Sequence, residues 1–202
     1  MFATSLRLEV QTDATADDKG VIIITTPARG SGNIVAPQLV PFVVGIHGGG
    51  WENGDKNSYD WCWRRLELLL PGVAFVQLSH RKASQSPFPG PFDDCVARLR
   101  WLRQHGARFG LDAEQCALFG CSSGGHLVSL LSTRGTCGAD ATLPTIRAFV
   151  SFAGVMDLAS LYGAVEPIRP ALLSLMDDLA PPNGASMVGD PAACAHACES
   201  PP

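Results

Sequence analysis

Gly120-Cys121-Ser122-Ser123-Gly124-Gly125 places a serine in G-x-S-x-G spacing. The motif lies between the apolar run Cys116–Phe119 and the helical pattern Ser123–Ser132. A serine on a sharp strand-to-helix turn presents its hydroxyl as a nucleophile, and the turn closes only if the residues two before and two after it are tiny. Gly120 and Gly124 meet that condition for Ser122. For Ser123 the flanking residues would be Cys121 and Gly125, so Ser122 is the predicted nucleophile. The helix N-terminus behind it adds a positive dipole and free N–H groups.

A second chemical signal is His47-Gly48-Gly49-Gly50-Trp51, which directly follows the apolar run Phe42–His47. Acyl transfer builds negative charge on a carbonyl oxygen, and preorganised N–H donors stabilise it. Glycines let a loop bring its backbone close to that oxygen. Gly48 and Gly49 are expected to supply one or two donors and Ser123 another. Gly50 belongs to the same structural turn. His47, at the strand end, is read as a brace for the loop rather than a base. His126, four residues after Ser122 on the same helix, is read as structural. Cys194, His196 and Cys198 have no second ligand pair at zinc-like spacing, so no metal site is expected.

These residues need a scaffold, and the rest of the chain reads as one. Strand-like segments are Leu6–Gln11, Val21–Thr26, Phe42–His47, Val73–Leu78, Cys116–Phe119 and Ile146–Phe152. Helical spacing marks Asp55–Leu70, stopped by Pro71-Gly72, and Phe92–Phe109, stopped by Gly110. Met156–Tyr162 and Pro170–Leu179 also read as helical. Strands alternating with helices imply an α/β architecture with a mostly parallel sheet. Of the 202 residues, 46% are hydrophobic and 17% charged, which excludes disorder by composition. The net charge is −4 and the 15 basic residues form no cluster, which argues against a nucleic-acid binder. No apolar stretch is long enough for a membrane span. No secretory signal is visible, so a cytoplasmic protein with reduced thiols is expected.

HGGGW, Gly54–Lys56 (GDK), Phe88–Asp94 (FPGPFDD), Arg100–Asp112 and Gly120–Leu127 together resemble α/β-hydrolase esterases and lipases. They are most similar to the hormone-sensitive-lipase-like and bacterial feruloyl-esterase-like carboxylesterases. The resemblance runs from about Phe42 onward. It implies the α/β-hydrolase fold, helices on both sheet faces, Ser122 as nucleophile and Gly48, Gly49 and Ser123 as oxyanion donors. It also implies a small-molecule ester substrate and no cofactor. Ser79-His80-Arg81 departs from the Asn/Asp-Tyr-Arg common in these enzymes.

The family order of the triad is Ser, then Asp or Glu, then His. The acid and the His follow a seventh and an eighth strand, and neither unit is recognisable here. The expectation is a single domain over residues 1–202, incomplete after its sixth strand, with 163–202 forming a partial cap and irregular tail. Weak or no activity is expected of such a chain. A non-catalytic truncated product or binding module is the alternative, and a formamidase-like amidase the alternative enzyme. An open sixth strand would favour self-association.

Overall fold

The structure, a computed structural model, describes residues 5–12, 20–27, 39–136 and 140–158. Six strands form one sheet in the order β1-β2-β4-β3-β5-β6. These are β1 (Leu6–Gln11), β2 (Val21–Thr26), β3 (Val40–Ile46), β4 (Ala74–Leu78), β5 (Leu111–Cys121) and β6 (Ile146–Phe152). The first two strands run antiparallel to their neighbours. From β4 through β3 and β5 to β6 every pairing is parallel. That places the carboxyl ends of β3 and β5 side by side, where open α/β sheets form their binding crevice.

Side chains alternate across the sheet, and each set has its own helical cover. Ile22, Ile24, Phe42, Val44, Ile46, Val76, Leu78 and Leu118 pack in one core with residues of α2 (Gly90–His105) and α3 (Ser123–Thr136). Cys95, Val96, Leu99 and Leu102 come from α2, and Leu127, Val128 and Leu131 from α3. The opposite face carries Phe75 and Phe119. They pack against Trp63 of α1 (Asp60–Leu69), with ring centroids 5.1 and 5.6 Å away. The expected mostly parallel sheet with helices on both faces is therefore present.

Several boundaries differ from the sequence reading, each for a local reason. Helix α1 begins at Asp60, not Asp55. Asp55 Oδ1 accepts the Asn57 N–H at 2.8 Å, and Ser58 Oγ accepts the Asp55 N–H at 2.9 Å. Short polar side chains that bond nearby backbone compete with helix in this way. Helix α2 ends at His105, and 106–109 tighten into a 3₁₀ turn. Gly110 closes it at φ 80°. Strand β5 runs eleven residues rather than four, because Leu111 already pairs with Val40 across a register shift. The helical reading at Met156–Tyr162 falls mostly, and that at Pro170–Leu179 wholly, outside the described residues; Met156 and Asp157 are not helical.

Candidate active site at the ends of the central strands

Ser122 stands between β5 and α3 with φ 55°, a left-handed conformation that non-glycine residues seldom adopt. Both of its backbone groups are held. Its N–H donates to Phe152 O of β6 at 2.9 Å, and its carbonyl accepts the His126 N–H at 3.1 Å. Such strain persists only where the surroundings over-determine it. The flanking glycines show why no larger residue would do. A Cβ on Gly120 would lie 2.3 Å from Gly124 O, and one on Gly124 would lie 2.1 Å from Ile46 O. The turn is thus pressed against itself and against β3.

The two serines differ in access. Ser122 is half-buried, whereas Ser123 is 1% exposed and its Oγ has no partner among the described residues. Ser123 is the first residue of α3, so its N–H is one of the unpaired donors at a helix start.

The His47–Trp51 loop reaches the elbow from β3. Gly48 lies so close that a Cβ there would meet Cys121 O at 2.6 Å. Gly49 adopts φ 123°, open only to glycine, and its carbonyl accepts the N–H groups of Glu52 and Asn53 at 3.1 and 2.9 Å. The loop is curled by its own backbone, and Gly48 lies against the nucleophile turn.

Both nearby histidines are fixed by packing. The His47 ring stacks on His80, 4.3 Å between centroids and 15° between planes. His47 Nδ1 lies 2.9 Å from Gly48 O, and His80 Nδ1 lies 2.8 Å from Arg81 O. Burial, and then the neighbouring His80, push His47 down to about 3. His126 meets Trp51 edge-on at 5.5 Å, and burial lowers it to about 4. Neither hydrogen-bonds Ser122 Oγ. His105 packs on Trp101, at 5.0 Å on α2. His196 and the tail cysteines lie outside the described residues.

Around this centre the 79–94 segment is clamped in place. Arg81 donates through its side chain to both carboxylate oxygens of Asp94, the Nη2–Oδ1 pair at 2.8 Å, and its backbone N–H adds a further bond at 2.8 Å. Glu52 Oε1 and Oε2 accept from Ser84 N–H and Oγ at 2.8 and 2.6 Å. Lys82 Nζ donates to Gly54 O. Arg81 is the residue retained where the local motif departs from the common one, and this geometry uses it.

Tyr59 is a site neighbour that the sequence reading missed. It sits at the N-cap of α1, its Oη donating to Ile46 O at 3.1 Å and accepting the Cys121 N–H at 3.0 Å. No local pattern marks it, since the contact joins residues 62 apart in sequence. Among the described residues no group of three or more His, Cys, Asp or Glu could hold a metal ion. The described cysteines Cys62, Cys95, Cys116 and Cys121 are unpaired thiols. No helix among the described residues is long and apolar enough to cross a membrane.

Comparison with known proteins places this arrangement in context. Residues 33–191 match the BD-FAE family. The chain is 30% identical over 120 residues to an ethyl acetate hydrolase of Pseudomonas putida, covering 56% of this chain and 37% of that protein. It is 31% identical over 94 residues to the esterase LipI of Mycobacterium tuberculosis, 46% of this chain and 29% of the relative. Over 146 residues it is 30% identical to the hormone-sensitive lipase of Mus musculus, 72% of this chain and 18% of the relative. The chain thus spans well under half the length of the curated relatives it matches. Among solved structures, esterase B of Lactobacillus rhamnosis superposes with a TM-score of 0.68 at 25% identity. That match covers 96% of this chain and 59% of the other.

Proposed function

The chain belongs to the BD-FAE family, within the α/β-hydrolase esterases and lipases, and from that premise we propose that it carries out acyl transfer from a small carboxylic ester to water through Ser122. The observation that carries the reading is the strained elbow. Ser122 projects from a left-handed turn whose flanking glycines admit no Cβ, directly opposite the His47–Trp51 loop.

In the proposed reaction Ser122 Oγ attacks the ester carbonyl carbon. The Oγ–C bond forms, the carbonyl π pair moves onto oxygen, and the Oγ proton passes to a base. Collapse of the intermediate expels the alcohol, and water then releases the acid. The developing oxyanion is held by N–H donors. Ser123 N–H, at the start of α3, is one. Gly49 is the other, with Gly48 beside it. Gly120 and Gly124 shape the turn, while His47 and Gly50 hold the loop. The reading assigns no cofactor. Relatives named as an ethyl acetate hydrolase, a probable carboxylic ester hydrolase and a hormone-sensitive lipase support an ester over an amide as substrate class. A reduced, cytoplasmic setting is proposed from the unpaired thiols.

No described histidine contacts Ser122 Oγ, so the 202-residue chain is expected to turn over p-nitrophenyl esters slowly. Removal of triad members from serine hydrolases leaves about 10³–10⁴-fold catalysis over water. Ser122→Ala is expected to abolish what turnover there is. Hydrolysis unchanged in Ser122→Ala would overturn the proposal. The Ser122 hydroxyl, without a hydrogen-bond partner among the described residues, also favours a second reading, a ligand-binding module on the same crevice. That reading predicts ester binding with no Ser122-dependent product.

A further inference from the structure

Strands β3 and β5 pair in parallel as far as Ile46 opposite Gly120. Alternate residues of a parallel strand point their N–H groups to one neighbour or the other. Just past β5 the Ser122 N–H goes to Phe152 O of β6. The Cys121 N–H therefore points to β3, where the register places Ile46 C=O as its ladder partner. A side chain occupies that rung. The Cys121 N–H donates to Tyr59 Oη at 3.0 Å, and Tyr59 Oη donates onward to Ile46 O at 3.1 Å. Two backbone groups thus meet on one hydroxyl: the carbonyl of the last residue of β3 and the N–H of the residue just before the nucleophile.

We propose that Tyr59 is a positioning residue for ester hydrolysis, its hydroxyl acting as a one-oxygen spacer that fixes the gap between the Ser122 elbow and the Gly48–Gly49 donor loop. The inference rests on the reading of Ser122 as nucleophile. The hydroxyl suits the task because it both donates and accepts. Burial raises it to about 12, so it keeps its proton throughout the neutral range. The ring is held edge-on between Phe119 at 5.3 Å and Trp63 at 6.0 Å. Phenylalanine would retain that packing and lose only the oxygen.

The test compares wild type, Tyr59→Phe and Trp63→Phe in the 202-residue chain. An alkyl fluorophosphonate serves as the reactive probe, and amide exchange is read by NMR. In Tyr59→Phe the maximal rate of phosphonylation at Ser122 is expected to fall about tenfold, as misplaced reacting groups do. The probe's apparent KI should stay within about twofold, because the ester pocket is untouched. Trp63→Phe loosens the same aromatic cluster and keeps the hydroxyl, so it should retain the wild-type rate. The Cys121 amide should exchange at least about tenfold faster in Tyr59→Phe. Unchanged Cys121 exchange, or an unchanged phosphonylation rate in a folded Tyr59→Phe, overturns the proposal. A wild-type chain that takes no probe contradicts the reading of Ser122 instead, and the Cys121 amide then decides whether the hydroxyl holds the rung.

Discussion

Ser122 shows how much one residue's backbone can say about chemistry. A left-handed serine costs of order 1–3 kcal/mol and persists only because its surroundings enforce it. The tight turn at Ser122 was legible in the sequence, because G-x-S-x-G states its steric condition in residue types. The roles of His47 and His126 were less legible, since a histidine's partners depend on what folds against it. His47 stacks on His80 from β4's end, a contact that no spacing encodes. These buried rings make a prediction about pH. Both have folded pKa values below the ordinary 6.5, about 3 for His47 and about 4 for His126. The unfolded chain therefore binds their protons more readily. Their contribution to stability is complete above about 6.5 and is lost as pH falls toward 4 and then 3. Urea midpoints measured at pH 7, 5 and 4 should fall in that order, and a flat series would contradict the burial described.

The elbow is a contact between three elements, β3, β5 and α3. Gly124 is its tightest point, with Ile46 O and His47 O at 2.1 and 2.5 Å from any added Cβ. Gly124→Ala must push α3 away from β3, and inserting a methyl into packed structure costs roughly 1–3 kcal/mol. In a chain of this size that lowers the melting temperature by about 2–4 °C per kcal/mol. A melting temperature within a degree of wild type would contradict the contact. Element types were readable in advance because β-branched runs such as Val21–Thr26 and the apolar stripe of α2 carry their own periodicity. Element ends were not. The Asp55–Ser58 turn and the polar start of β5 are settled by local side-chain bonds and by pairing with Val40.

At the scale of the whole molecule, the sheet presents one asymmetric side. Among the described residues β6 pairs only with β5, and Phe149, Val150 and Phe152 are 46%, 54% and 65% exposed. Apolar strands with unpaired backbone template association. The chain is expected to self-associate as concentration rises, and Val150→Lys is expected to reduce that association without unfolding the sheet. Light scattering that shows a monomer for wild type at high concentration would contradict this. The central claim joins all three scales, since the sheet brings β3 and β5 together, the turn strains Ser122, and the residue does the chemistry. Mass spectrometry of the chain after prolonged exposure to excess fluorophosphonate tests it most directly. A slow, single phosphonyl adduct on Ser122, absent from Ser122→Ala, is the predicted result. An adduct on Ser123 or elsewhere, or equal labelling of Ser122→Ala, would contradict it.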